Sequence, residues 1–352
     1  MKIDYSKFNL ILHIGAGKTG TTSIQQTLKT HKLQLDEQKV SYLGLMLEHG
    51  IFLYPWQKPD GWVHCFRLGI EKAQQQIHEA LIKSINQLIS DGYHTAIWSN
   101  ESFFSDHSTI LSLLWDLHNL GINISVIIYV RRHDSWARSA YLQWGIKHKN
   151  YEGKVKSFQE WYQNNPVQFS DKIQPWLEQQ WIKLFVRNFD LCGDIIVDFL
   201  QCCNLKATKF SSLRENETPS AVALALWALY NSQVEEPVLP SELGGLLRHS
   251  KIFDNNTIDC DYNSLIPTHE DLKFVQNNSL KDRQILNDIF QRFGQPKVDE
   301  TILKEKDFTV TNNQIFAALI QLLKFQQSRI NQLDSRIKKI ENIISNLADR
   351  TE

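Results

Sequence analysis

The sequence predicts an α/β fold, a doubly wound parallel sheet flanked by helices, with a C-terminal coiled-coil helix appended. Three observations lead there. Ile122 to Val130 is β-branched almost throughout and lacks polar alternation, as in a strand buried on both faces of a parallel sheet. Asn9 to Ile14 is a compact apolar run that stops at a glycine-rich turn, after which Thr22 to Thr30 carries helix formers, giving strand, loop, helix. Strand-like and helix-like segments then alternate along the chain.

The elements follow in order. Glu48 to Gly69 is rich in Gly, Pro and aromatics (Phe52, Tyr54, Trp56, Trp62, Phe66) and reads as a surface excursion. Its aromatics suit stacking on a sugar face, and aromatics also serve as ordinary core. Glu71 to Ser90 places Ile77, Leu81, Ile85 and Leu88 at helical spacing and ends at Asp91-Gly92, before a second apolar run from Thr95 to Trp98. Ile110 to Leu120 reads as a helix closed by Gly121, leading into the strand of residues 122–130. Leu184 to Val186 is a further strand candidate and Gly193 to Leu205 a further helix. From about Pro219 the pattern is mostly helical.

At the C-terminus Phe316, Leu319, Leu323, Gln326, Ile330, Leu333, Ile337, Ile340, Ile344 and Leu347 fall on a 3-4-3-4 spacing with one polar exception. That is a heptad seam, with isoleucine at the later a positions, close to the pattern that favours two parallel strands. The expectation is a homodimer through this helix; the alternative is a helix folded back on its own domain. The division expected is a domain over residues 1–308 and the helix over 309–352.

Composition sets limits. The chain has 352 residues, long enough for one large α/β domain plus an appendage. With 38 basic and 39 acidic residues there is no global field to favour nucleic acid or an anionic membrane, so any phosphate recognition is local. The five cysteines, Cys65, Cys192, Cys202, Cys203 and Cys260, show neither a CxxC pair nor metal-ligand spacing and read as reduced, packed thiols. The N-terminal apolar run is too short for a signal segment or a membrane span. A soluble cytoplasmic enzyme is the expectation.

The chemistry concentrates in two places. His13-Ile14-Gly15-Ala16-Gly17-Lys18-Thr19-Gly20-Thr21-Thr22-Ser23 joins a buried strand to a helix. Its glycines let backbone amides approach an anion, the helix start adds N–H groups and a positive dipole end, and Lys18, Thr21 and Thr22 add a charge and hydroxyl donors. This is a P-loop-like phosphate cradle. It is not a Walker A loop, because that spacing needs glycine at Leu12, inside the strand, and no Walker B strand accompanies it. The second place is Tyr129-Val130-Arg131-Arg132-His133, where an arginine at a strand's end and Ser139, two helical turns on, suit one more phosphate.

Together the two motifs resemble the sulfotransferase superfamily, in particular bacterial members with a KTGTTSIQ-type loop, which Lys18 to Gln25 spell without a gap. The resemblance covers residues 8–30 and 122–143, and more loosely Arg187 to Leu205. It implies that Gly17, Lys18, Thr19, Gly20, Thr21, Thr22 and Ser23 bind the 5′-phosphosulfate of 3′-phosphoadenosine-5′-phosphosulfate (PAPS). It also implies that Arg131 and Ser139 bind the 3′-phosphate and that Phe189 stacks near the adenine. The late Arg-Lys-Gly motif of cytosolic sulfotransferases has no counterpart here.

Sulfuryl transfer is an in-line displacement governed by positioning and charge stabilisation, for which lysine and backbone amides suffice without a metal. Lys18 is the candidate for stabilising the leaving oxygen. Glu101, just past a strand and expected at the same sheet edge, is the candidate general base, weighed against a role as helix cap or as partner of Lys18. His133 is its rival, while His13 reads as structural. Arg132 is expected as a supplement to Arg131, and Arg138 as a solvated charge. The acceptor expected from the resemblance is a hydroxyl or amine, on a glycan. The alternatives are a P-loop kinase or nucleoside triphosphatase, and a non-catalytic sulfotransferase-like scaffold.

Overall fold

The computed structural model describes residues 3–59, 61–207, 210, 221–238, 261–301 and 308–348. Five strands, β1 (Asn9–His13), β2 (Val40–Tyr42), β3 (Thr95–Ser99), β4 (Asn123–Val130) and β5 (Lys183–Asn188), form a parallel sheet in the order β2-β3-β1-β4-β5. Leu12 lies opposite Trp98 and Val126, and Ile11 opposite Ile97 and Ser125. The period of two then sorts the strands into two faces.

Ile11, Ile97, Ile127 and Tyr129 form one core with Ile24 and Leu28 of α1 (Thr21–Thr30) and Ile196, Phe199 and Leu200 of α9 (Ile195–Cys202). Leu10, Leu12, Trp98, Val126 and Ile128 alternate with that set and are buried too. On their side α4 (Ile70–Ser90) and α5 (His107–Asn119) pack together, with α5 against β4. Helices therefore flank the sheet on both sides, and the apolar run of β4 is explained.

The punctuation works as the sequence implies. Gly92 and Gly121 take positive φ at the ends of α4 and α5, and the Asp194 carboxylate caps α9 by accepting from the amides of Ile196 and Val197. Some elements were not legible. Strand β2 is three residues long, too short for a period-2 signal. The segment expected as a surface excursion holds the helix α3 (Trp62–Phe66), and Trp56 within it is buried, donating from Nε1 to Gln76 at 2.8 Å. Tyr54 is tied to Glu79, which leaves Phe52 as the exposed ring of that group among the described side chains. The side chains of Trp62 and Phe66, the other two rings of that group, lie outside the described residues.

By contacts the chain divides into two units: residues 1–137, 166–217 and 272–303, and residues 138–165, 218–271 and 304–352. The first holds the sheet. In the second, α7 (Phe158–Asn164), opened by a Ser157/Glu160 capping box, and α10 (Ala221–Asn231) both pack on a π-helical turn, Tyr141–Lys147. The buried Lys149 ammonium donates there to the carbonyls of Gly153 and Val234. The C-terminal helix, labelled α14 (Asn312–Ala348), belongs to this unit, and its first turns contact α10. Among the described residues no helix is long and apolar enough to cross a membrane. Cys65, Cys192, Cys202 and Cys203 are free, and Cys260 lies outside the described residues.

The first unit is pinned beneath β4 by a buried carboxylate. Asp282, in α13 (Leu280–Arg292), accepts from His133 Nε2 at 2.5 Å and from the amides of Phe169 and Ser170 at 2.8 and 2.9 Å, which open α8 (Phe169–Leu177). Burial by itself raises its pKa, but these hydrogen bonds and the His133 charge outweigh it and hold the value below the ordinary aspartate range. A depressed folded-state pKa adds stability above the unfolded value and loses it as pH falls through the folded one. Asp282→Ala is expected to cost about 3–5 kcal/mol by leaving buried donors unmatched, and to flatten the loss of stability below about pH 4; denaturant melts at pH 7 and pH 3 measure both.

Candidate functional site

In this strand order the connection after β1 runs toward β2 and the connection after β4 runs toward β5, while β1 and β4 are neighbours. Their carboxyl ends therefore flank the crevice in which open α/β sheets bind ligands. The glycine loop leaves β1 on one side of it and Arg131 leaves β4 on the other.

The loop is shaped by where its carbonyls go. The amides of Ile14 and Ala16 first donate to Ile127 and Tyr129 of β4, both at 3.0 Å. Three successive carbonyls are then taken by side-chain donors: Ala16 O by the Thr19 hydroxyl, Gly17 O by Trp136 Nε1 at 2.9 Å, and Lys18 O by an Arg131 amino group at 3.1 Å. A peptide whose carbonyl is engaged on one side presents its N–H group on the other.

Lys18 adopts φ 70°, a left-handed conformation that costs a non-glycine residue about 1–2 kcal/mol, and Gly20 follows with φ 78°. Gly15 is required by close approach, since a Cβ there would meet Thr19 Oγ1 at 3.0 Å and His13 Nε2 at 3.1 Å. No side chain caps α1, so the first-turn amides meet the loop without a built-in acceptor.

Thr19, Thr21 and Ser23 are buried and Thr22 is half-buried. The buried Thr21 hydroxyl lies beside the Glu101 carboxylate. Glu101 opens a short 3₁₀ turn after β3 (Glu101–Phe104), and the N-cap of that turn is Asn100, whose side chain accepts from the Ser102 amide. Glu101 is thus released from the capping role. Desolvation raises its carboxyl above the ordinary glutamate value, opposed by the Thr21 hydroxyl and the Lys18 charge, while part of the residue stays open to solvent. The Thr21 hydroxyl and the Lys18 charge therefore both act on the Glu101 carboxylate, an arrangement shared by a base beside the loop and by a Glu101 paired with Lys18.

His13 lies under the loop with Nδ1 2.8 Å from Ser99 Oγ, and burial holds its pKa at about 3, so it is neutral and structural. His133 is buried against Asp282 and faces away from base duty. Arg132 pairs with Asp134 and donates to the Thr301 carbonyl, so the expected supplement to Arg131 is already committed.

Arg131 sits over the Phe189 ring with the guanidinium 4.9 Å from its centroid, and pairs with Ser135 and with Asp190 at 3.2 Å. Its Nε is buried with no partner. Desolvation lowers its pKa and Asp190 opposes the shift. The Asp190 carboxylate also accepts from the Arg132 amide at 2.7 Å, so its two oxygens occupy the donors that a phosphate would use. Asp190 and Trp136 were not singled out from the sequence; both sit inside the motifs quoted for the resemblance, but their partners are distant in the chain. Ser139 lies on α6 (His133–Ala140), half-buried, past the point where the chain enters the second unit. Phe189, expected near an adenine, carries the Arg131 guanidinium on its ring and approaches Gly20. A cavity of about 430 Å³ runs along β2, lined by Lys29, Lys32, Tyr42 and His49 among others, and includes none of the loop residues.

No family model matches the chain, and no curated protein matches it. Among solved structures it is similar to a chain from a study of the PezAT chromosomal toxin-antitoxin system of the human pathogen Streptococcus pneumoniae, at 12% identity, over 54% of this chain and 70% of that chain, with a TM-score of 0.26. A likeness of that size carries no argument about fold or function.

Gly20→Ala tests the loop geometry. The added methyl meets Ile195 and Phe189 side-chain carbons at 3.2 Å and sits at a left-handed φ. The expected loss is about 1–2 kcal/mol in urea unfolding with an unchanged m-value.

Proposed function

We propose that this chain is a sulfotransferase, moving the sulfuryl group of PAPS to an acceptor hydroxyl or amine, on a glycan in the reading that the sequence resemblance favours. The observation that carries the proposal is the action of the Thr21 hydroxyl and the Lys18 charge on the Glu101 carboxylate beside a P-loop-like cradle, across one crevice from Arg131. A cradle, a second cation and a carboxylate base are the parts a displacement between a nucleotide and a hydroxyl needs. The free thiols fit a reducing cytoplasm.

The step follows from these parts. The acceptor oxygen attacks sulfur in line as Glu101 takes its proton. The bond from sulfur to the bridging oxygen breaks on the far side, and the charge left on the 5′-phosphate is met by Lys18 and the loop amides. Desolvation raises the Glu101 carboxyl above the ordinary glutamate value, opposed by the Thr21 hydroxyl and the Lys18 charge, which makes it a stronger base than an ordinary glutamate. Arg131 has two tasks in this reading: it holds the Lys18 carbonyl and it meets the 3′-phosphate, which must compete with Asp190 for it.

Two outcomes test the proposal with labelled PAPS and a panel of glycan acceptors. Activity falls on the acid side with a midpoint above the ordinary glutamate value of 4.5, because protonated Glu101 cannot accept the acceptor's proton. Glu101→Gln loses about 100-fold to 10,000-fold in kcat and abolishes that limb. An unchanged acid limb in Glu101→Gln would exclude it as the base.

The cation roles separate in the kinetics. Lys18→Ala lowers kcat, Arg131→Ala raises the KM for PAPS, and Asp190→Asn lowers that KM by removing the competing charge. Equal weakening of PAPS binding by Lys18→Ala and Arg131→Ala with unaltered turnover would contradict the assignment.

A further inference from the structure

The helix α14 carries an apolar stripe that none of the described residues of its own unit covers. Phe316, Leu323, Ile330, Leu333, Ile337 and Ile340 lie on the a and d positions and are between 49% and 61% exposed. Contact with α10 is made by the other side of the first turns, where Ala317, Ala318, Gln321 and Leu322 line a cleft against Val222 and Leu226. From residue 329 to residue 340 every residue is exposed. Among the described residues of the unit, none folds over this stretch of the seam.

We propose that α14 is one strand of a parallel, in-register, two-stranded coiled coil whose other strand is α14 of a second copy of this chain. Three features select that occupant. The exposed part of the six seam residues amounts to about 600 Å² per copy, or about 1,200 Å² for the pair, the lower end of stable specific interfaces. The a positions at 330 and 337 are isoleucine, the β-branched choice of two-stranded parallel coils.

The flanking charges then fix direction. Arg329 falls on a g position and Asp334 on the following e position, five residues on, and the sequence repeats the order one heptad later with Arg336 and Glu341. Parallel strands bring g of one copy to the next e of the other, so each arginine meets an acid from both sides of the seam. Antiparallel strands would set Arg against Arg. Gln326, the one polar d residue, adds register, because only the in-register pair lets the two amides hydrogen-bond each other in place of facing an apolar side chain.

Sedimentation equilibrium of the full-length chain tests this. The expected mass is twice the 41.0 kDa of one chain, falling to 41.0 kDa in Ile337→Asp with the thermal unfolding of the sheet domain unchanged. Arg329→Glu and Asp334→Arg each raise the dimer dissociation constant about tenfold, and the double variant, which restores opposite charges in a parallel pair only, returns it to the parent value. A monomer at all concentrations, a dimer indifferent to Ile337→Asp, or a double variant weaker than either single one would overturn the proposal.

Discussion

The carbonyls of Ala16, Gly17 and Lys18 are all held by side-chain donors, and the candidate site depends on that constraint. Two of the three donors, Trp136 and Arg131, come from the end of β4 and the helix after it. They reach the loop because β4 is the neighbour of β1 in the sheet. Strand order is thereby converted into peptide orientation, and the strain at Lys18 is sustained by contacts made elsewhere. The buried Asp282 network steadies the residues just after Arg131, and the Asp198 carboxylate, accepting from Tyr129 and Arg187, ties β4, β5 and α9 together behind the crevice.

A chain with net charge −1 has no long-range attraction for a nucleotide, so recognition rests on how its charges are arranged locally. Each cation at the crevice has a carboxylate at hand, Glu101 by Lys18 and Asp190 by Arg131. The Asp190 pair differs from Arg132 with Asp134, which is deeper, and from Arg187 with Asp198, whose carboxylate is the more buried and also accepts from Tyr129. It occupies donors of Arg131 at the end of β4, and in the proposed reading a nucleotide phosphate competes with it for them.

Legibility followed the range of the interactions. The loop, the strand β4 and the heptad helix are contiguous patterns whose signals are strong within a dozen residues, and each was read from the sequence. Glu101 was legible because strand ends in a parallel sheet share one edge. The short β2 was missed because three residues carry no period, and α7 and α8 because aromatic and polar residues mix along them. The pairing of Arg131 with Asp190, 59 residues away, has no local signature. Within the aromatic-rich residues 52–66, the burial of Trp56 was not legible because its indole donates to Gln76 of α4, 20 residues on.

The central claim is that the loop and Arg131 make two anion positions of one nucleotide site. Calorimetric titration of the purified chain with 3′-phosphoadenosine-5′-phosphate, and separately with ATP plus magnesium, tests it most directly. The account predicts micromolar binding of the bisphosphate without metal. Binding of ATP with magnesium and no binding of the bisphosphate would contradict the account and point to phosphoryl chemistry, and binding of neither would leave a scaffold built on the same sheet.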